Sequence, residues 1–203
     1  MTHPRRLLLA TTNPGKIREY RQMLDHLPCE VVTLENAGIG DEVEETGATI
    51  QENAVIKAKG YAGLSGMLTI ADDSGLEVDA LNGEPGVKSA RYAGDEASDE
   101  DRIAYLLGKL EGVPDDRRQA RFRCVIAITG PGLPVETSEG TCEGVIARAP
   151  KGAKGFGYDP IFYIPELNRH MAEIALDRKN RISHRGRAMA GARHIVERLV
   201  GVR

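Results

Sequence analysis

The chain has 203 residues, of which 41% are hydrophobic and 28% charged, a composition typical of a globular protein with one large domain or two lobes. Its formal net charge of -3 gives no support to nonspecific nucleic-acid binding, and the apolar run after the basic N-terminus is too short for a signal sequence or a membrane span. The 3 cysteines are widely spaced without a Cys-x-x-Cys pair, which favours reduced thiols in the cytosol over disulfides or zinc.

The first predicted element is a short buried strand at residues 7–10, which is closed by polar turn residues. Asn13 then suits a helix N-cap, and Pro14 suits the first helical position, where its missing N–H costs nothing. Such a helix start offers backbone N–H groups to an anion, and Lys16 adds a positive charge. Because the segment matches neither a Walker A loop nor the dinucleotide fingerprint, it predicts either a phosphate site or an ordinary capped turn.

Apolar spacing and capping signals predict the other elements. Thr49 and Glu52 form a capping box that opens one helix, and Ser98, followed by acidic residues, opens another. A last helix is expected from about residue 183 to residue 200. Strands are expected at residues 30–34, 67–71 and 76–81, and a β-ribbon at residues 122–129 and 135–146. This order predicts an α/β protein with a mixed sheet and no clean linker.

Acidic side chains form the first group that could carry chemistry. Glu42, Glu44 and Glu45 precede a Thr-Gly pair, and Asp72 and Asp73 follow the third predicted strand. Carboxylates at the end of a strand lie where open α/β sheets bind ligands, and such oxygen ligands suit Mg²⁺. Strand alternation sends the two aspartates to opposite faces, so one of them is expected at a given site. Taken alone, the first cluster is more typical of a solvated loop, and the aspartates fit a capped turn equally well.

Aromatic side chains form the second group. Residues 156–163 hold Phe156, Tyr158, Phe162 and Tyr163 after a glycine-rich stretch. Aromatic faces on such a loop suit the stacking of a planar base. Phe162 and Tyr163 also fit a strand that enters the core, whereas Phe156 and Tyr158 favour base binding.

Basic side chains form the third group, which includes Lys179, Ser183, His184 and Arg185. If Ser183 caps the last helix, His184 and Arg185 lie in its first turn, where cations oppose the helix dipole. A bound anion or a ligand carbonyl would make use of these donors. A solvated basic face is the alternative, but the unfavourable placement of the cations favours a functional role.

These groups belong to an ordered series of motifs that covers roughly residues 5–198. The series runs Thr11-x-Asn13-x-x-Lys16, Glu44-Glu45-Thr46-Gly47, Glu52-Asn53-Ala54, Ala71-Asp72-Asp73-Ser74-Gly75-Leu76, Pro85-Gly86 with Ser89-Ala90-Arg91-Tyr92, Phe156-Gly157-Tyr158-Asp159-Pro160 and Ser183-His184-Arg185-Gly186. The set resembles the inosine triphosphatase-like (Ham1/RdgB) family of non-canonical purine nucleoside triphosphate pyrophosphatases. Each motif is weak by itself, whereas their order is specific. Tyr158 stands where some family members carry tryptophan.

The resemblance implies an α/β fold in which a long mixed β-sheet floors a cleft between two α/β lobes. Residues 1–203 would form a single domain whose two lobes share one sheet. The implied activity is Mg²⁺-dependent hydrolysis of dITP, ITP and XTP to the monophosphate and pyrophosphate, which removes deaminated purines from the nucleotide pool. The implied protein is a cytoplasmic homodimer with no nucleic-acid or membrane partner.

The resemblance also implies roles for particular residues. Glu45 and Asp73 would hold Mg²⁺, Asp73 would be the general base, and Lys57 would reach a phosphate. Arg185 would donate to the 6-oxo group of hypoxanthine or xanthine and oppose the 6-amino group of adenine. The implied substrate-binding residues are Thr11, Thr12, Asn13, Pro14, Gly15 and Lys16 around the phosphates, Phe156, Gly157, Tyr158 and Asp159 around the base and sugar, and Ser74, Lys179, His184 and Arg185.

Two other interpretations remain. A Maf-like nucleotide pyrophosphatase shares an early Ser/Thr-x-Asn turn but prefers other bases, and the motifs at residues 156–159 and 183–185 argue against it. A nucleotide-binding sensor without catalysis is the second interpretation. The paired acids Glu45 and Asp73 argue against it, because a pure binder gains little from carboxylates that face a triphosphate.

Overall fold

Seven strands form one mixed sheet in the computed structural model, which describes residues 5–201. The strands are β1 (Arg5–Leu9), β2 (Cys29–Thr33), β3 (Leu68–Val78), β4 (Gln119–Thr129), β5 (Glu136–Ile146), β6 (Phe162–Ile164) and β7 (Arg169–His170). Their order in the sheet is β2-β1-β3-β4-β5-β6-β7. β1 pairs in parallel with β2 and β3, whereas β6 pairs antiparallel with β5 and β7. The predicted mixed α/β sheet is confirmed.

The α-helices are α1 (Pro14–Leu24), α2 (Ile50–Ser65), α3 (Asp99–Lys109), α4 (Leu176–Ile182) and α5 (His184–Val200). Short 3₁₀ helices cover Asp79–Leu81, Gly86–Arg91, Asp115–Arg117, Pro165–Leu167 and Met171–Glu173. Within residues 5–201, no helix combines the length and the apolar character that crossing a membrane requires.

The predicted helix starts are confirmed by their capping contacts. Asn13 caps α1 by accepting the backbone N–H of Lys16 at 3.0 Å, and Pro14 occupies the first helical turn. Thr49 and Glu52 form the expected capping box at the start of α2. Ser98 caps α3 in the same way with Asp101. Each cap satisfies backbone N–H groups that have no partner within the helix.

Contacts divide the described chain into two compact units, each with its own core. Unit 1 comprises the described residues up to Asp73, then Cys124–Gly140 and the described residues from Arg185 onward. Its core packs apolar residues of β1 and α1 against Ala188, Ala192 and Ile195 of α5, as the helical spacing predicts.

Unit 2 comprises Ser74–Arg123 and Thr141–His184. Its core includes Ile103 and Leu106 of α3, together with Phe122, Phe162 and Tyr158. Phe162 is completely buried in β6, so the interpretation of this residue as part of a strand is confirmed.

The predicted break between strands at residues 67–71 and 76–81 is wrong, because β3 continues without interruption from Leu68 to Val78. Gly75 is required here by the close approach of another backbone segment. A Cβ atom at Gly75 would lie 2.9 Å from the carbonyl carbon of Gly86 and 3.1 Å from Oγ of Ser89. Ser89 fastens this approach, since its hydroxyl accepts the N–H of Leu76 at 2.9 Å and donates to the carbonyl of Gly86 at 2.6 Å. A glycine within a strand often marks such an approach.

Arg118 holds together the ends of α3 and β5. Its buried guanidinium donates to the carbonyls of Leu110 at 3.0 Å, Ile146 at 2.7 Å and Ala147 at 3.4 Å. We expect Arg118→Leu to lower the free energy of unfolding by about 2–4 kcal/mol, because these carbonyls lose a charged donor. Urea denaturation measures the change, with Arg117→Leu on the exposed neighbour as the control. A difference below about 1 kcal/mol between the two variants would contradict this role.

Candidate active site

The turn at residues 11–16 joins the end of β1 to the start of α1 in unit 1. Thr12, Asn13 and Pro14 are exposed, so a ligand in solution can reach the turn. Oγ1 of Thr11 accepts the N–H of Asn13 at 3.2 Å, and Oδ1 of Asn13 accepts the N–H of Lys16. These bonds fix an exposed helix N-terminus, which is the backbone arrangement that attracts phosphate.

Two carboxylates of unit 1 converge on the ammonium group of Lys57 in α2. Lys57 Nζ lies 3.2 Å from Oε2 of Glu45 and 3.4 Å from Oδ1 of Asp73. Burial of Lys57 acts to lower its pKa, but Asp73, Asp72 and Glu45 outweigh this effect and the pKa is raised. Lys57 therefore remains a cation between the two acids at neutral pH.

Glu45 and Asp73 also suit a divalent metal ion. Across residues 5–201, no three His, Cys, Asp or Glu side chains converge as a complete metal site. Mg²⁺ needs only one or two carboxylates when phosphates and water supply its other ligands. Oδ2 of Asp73 is buried and has no hydrogen-bond partner within the described residues, which leaves an acceptor for a cation or a water molecule. The chemistry of this pair suits a hard cation such as Mg²⁺.

Asp72 has different partners, as expected for neighbours on a strand. Its side chain is fully buried, and Oδ2 lies 3.0 Å from Lys16 Nζ and 3.2 Å from Arg185 Nε. Burial acts to raise the pKa of this carboxyl, but Lys16, Arg185 and Lys57 outweigh that effect and hold the pKa well below its usual range. Asp72 is therefore a permanent anion that positions two cations.

Two carboxylates, those of Glu19 and Asp72, contact the buried guanidinium of Arg185. Its Nη1 donates to Oε2 of Glu19 at 2.6 Å, its Nε donates to Asp72, and only 1% of its side chain is exposed. Nε and Nη1 are engaged in these contacts, and the burial of the side chain leaves little of it accessible to the purine that the sequence analysis expected it to bind. The sequence analysis did not identify Glu19, which is buried on α1. Its spacing of three residues from Lys16 places both on neighbouring positions of the helix surface and was the available signal.

The aromatic turn at residues 156–159 in unit 2 is fixed through its backbone. The N–H of Phe156 donates to Oδ2 of Asp159 at 3.0 Å, and the N–H of Gly157 donates to Oδ2 of Asp99 at 2.6 Å. Phe156 is half-buried, and Nζ of Lys179 lies 4.9 Å from the centre of its ring. Lys179 also forms a buried ion pair with Asp159. The ring of Phe156 therefore lies beside a cation, and the backbone N–H groups on either side of its Cα donate to carboxylates.

Tyr158 has a different environment from the one expected for a base-stacking residue. Its ring belongs to the core of unit 2, and its hydroxyl donates to the carbonyl of Ser89 at 3.0 Å. Burial raises the pKa of Tyr158 to about 12, so the hydroxyl stays protonated as a donor at neutral pH. The side chain thus fastens the turn to the segment around Ser89, while Phe156 is the more accessible of the two rings.

His184 and Ser74 complete the predicted set in unit 2. His184 is the first residue of α5, and its buried ring stacks on Phe122 with 4.7 Å between ring centres and an angle of 18°. Ser74 is half-buried in β3, directly after Asp73 in the chain.

Comparison with known proteins places these residues in a family. The model of the Ham1 family matches residues 7–195. The chain is 52% identical to the dITP/XTP pyrophosphatase of Desulforamulus reducens, with 96% of each chain covered, and 45% identical to that of Bacillus subtilis, with 94% of this chain and 96% of the relative covered. The solved structure of the Staphylococcus aureus Ham1 protein matches with a TM-score of 0.85 and 42% identity, over 96% of this chain and 100% of the other. The chain therefore belongs to the Ham1 family.

Proposed function

We propose that this protein is a nucleoside triphosphate pyrophosphohydrolase that cleaves dITP, ITP and XTP to the monophosphate and pyrophosphate. The observation that carries the proposal is that the carboxylates of Glu45 and Asp73 converge on the ammonium group of Lys57. The same unit presents the exposed helix start at residues 11–16, which suits phosphate. The pyrophosphatase relatives, at 45–52% identity over almost their full length, support this substrate class.

Pyrophosphatase chemistry of this family points to a divalent metal, and we propose Mg²⁺ held by Glu45 and Asp73. When bound, the ion supplies positive charge that neutralises the triphosphate and makes the attacking water more acidic. Asp73 orients that water and accepts its proton at a carboxylate oxygen. Lys57 then supplies positive charge to the phosphates, since its pKa is raised and it remains protonated.

The proposed substrate contacts follow from the environment of each group. The N–H groups and hydroxyls at residues 11–16 bind phosphate oxygens, and the half-buried ring of Phe156 stacks on the purine. Ser74, Lys179 and His184 are further proposed contacts. We assign Arg185 a supporting role, because its guanidinium already serves Glu19 and Asp72.

Selection of the base is a hydrogen-bonding problem in this proposal. A site with donors aimed at a 6-oxo group accepts hypoxanthine and xanthine, and it meets the 6-amino group of adenine with donor against donor. Guanine shares the 6-oxo group, so its rejection must come from crowding at its 2-amino group. Sites built around such bonds discriminate by up to about 10⁴–10⁵. The proposal also includes a homodimer that is cytoplasmic and has no nucleic-acid partner. A measurement of the mass of the protein in solution tests the dimer.

A pyrophosphate-release assay tests the function. The substrates are ITP, XTP, dITP and the four common dNTPs, each with Mg²⁺ and with excess chelator. We expect pyrophosphate and monophosphate from the three deaminated nucleotides, little from the common ones, and none without metal. A preference for other bases would favour a Maf-like enzyme, and tight ITP binding without release would favour a sensor.

A further inference from the structure

Asp99 of α3 contacts the aromatic turn, although it lies far from that turn in the sequence. Its Oδ2 accepts the N–H of Gly157 at 2.6 Å, while its Oδ1 pairs with Arg102. Arg102 donates in turn to the carbonyls of Ala90 at 2.9 Å and Ala97 at 2.5 Å. The carboxylate that receives the Gly157 amide is therefore itself held in position by a cation with backbone partners.

The contact acts on the residue that sets the shape of the turn. Gly157 has a φ angle of 59°, in the left-handed region that favours glycine. Its neighbour Phe156 donates its own N–H to Asp159. Two consecutive amides thus bind two carboxylates, and hydrogen bonds to ionised acceptors are the strong ones. Because these amides flank the Cα of Phe156, they fix the direction in which its ring projects.

We propose that Asp99 is a positioning residue for purine binding, acting through the N–H of Gly157 on the ring of Phe156. This inference rests on the proposed function. A turn without this anchor samples more conformations, and the substrate must then restrict them on binding. The loss falls on substrate affinity and leaves the chemistry at Asp73 unchanged.

The test compares Asp99→Ala with Asp99→Asn, whose amide oxygen can still accept the N–H of Gly157. We expect Asp99→Ala to raise KM for ITP about tenfold and to change kcat by less than about twofold, whereas Asp99→Asn restores part of the affinity because it keeps an acceptor without the charge. Glu100→Ala is the matched control, because it removes an exposed acid from the same first helical turn. Its kinetics should equal those of the original protein.

Hydrogen exchange of residues 156–158 separates this inference from the proposed function. Asp99→Ala should exchange these amides faster than the original protein and faster than Asp99→Asn, while Glu100→Ala should exchange them at the original rate. Unchanged exchange in Asp99→Ala overturns the anchoring, and so does a loss confined to kcat. An original protein that releases no pyrophosphate overturns the proposed function, and the exchange result still stands by itself.

Discussion

Asp73→Asn is expected to lower kcat for ITP by at least about 100-fold, which is the usual scale for loss of a general base. Asparagine keeps the size and polarity of the side chain but removes the charge that binds a metal ion and accepts a proton. Lys57 keeps Glu45 as a partner in this variant, so we expect the fold to survive. The measurement is steady-state pyrophosphate release across a Mg²⁺ titration, with thermal unfolding to verify the fold.

Asp72→Asn is the matched control on the same strand. Asp72 pairs with Lys16 and Arg185 in a fully buried position, so its substitution should reduce stability more than Asp73→Asn does. If Asp73→Asn retains more than about a tenth of the original kcat at saturating Mg²⁺, the base lies elsewhere and Asp72 becomes the next candidate.

Local features of the fold could be predicted because their causes are close together in the sequence. The caps at Asn13, Thr49 and Ser98 bind N–H groups within three residues, and all three are confirmed. The continuous strand through residues 72–75 could not be predicted in this way. Gly75 is required by the close approach of the Gly86 backbone, and no local sequence pattern reveals that approach. The short helix α4 was also missed, because its sequence is strongly basic and gives no local sign that Lys179 is buried.

In the candidate site too, local features could be predicted, whereas contacts between distant segments could not. The motif order identified the family, and the motifs include Lys16, Glu45, Asp72 and Asp73, whose side chains form ion pairs in unit 1. Which of them face one another depends on contacts between distant segments. Arg185 meets Asp72 across 113 positions and Glu19 across 166 positions of the chain. Only the fold brings these charges together, so their mutual neutralisation could not be read from spacing.

Arg185→Ala is expected to lower the free energy of unfolding by about 3–5 kcal/mol, because it removes the guanidinium that pairs with the buried carboxylates of Glu19 and Asp72. Lys16 still faces Asp72 at 3.0 Å, whereas Glu19 loses its guanidinium partner. Denaturant unfolding measures the loss. Glu19→Gln is the companion variant, since it removes the other partner of the buried pair and should recover part of the loss when combined with Arg185→Ala.

The same substitution separates a supporting role of Arg185 from base reading. If Arg185 acts by holding Glu19 and Asp72, kcat/KM falls by a similar factor for ITP and ATP, and their ratio stays within about twofold of the original. A guanidinium that bonds the 6-oxo group would instead reduce the ITP to ATP ratio about ten- to a hundredfold, since ATP never makes that bond. If the alanine variant unfolds, the ITP to ATP ratio is measured instead on Arg185→Lys, which keeps the positive charge. From the burial of Arg185 between two carboxylates, we expect an unchanged ratio in both variants.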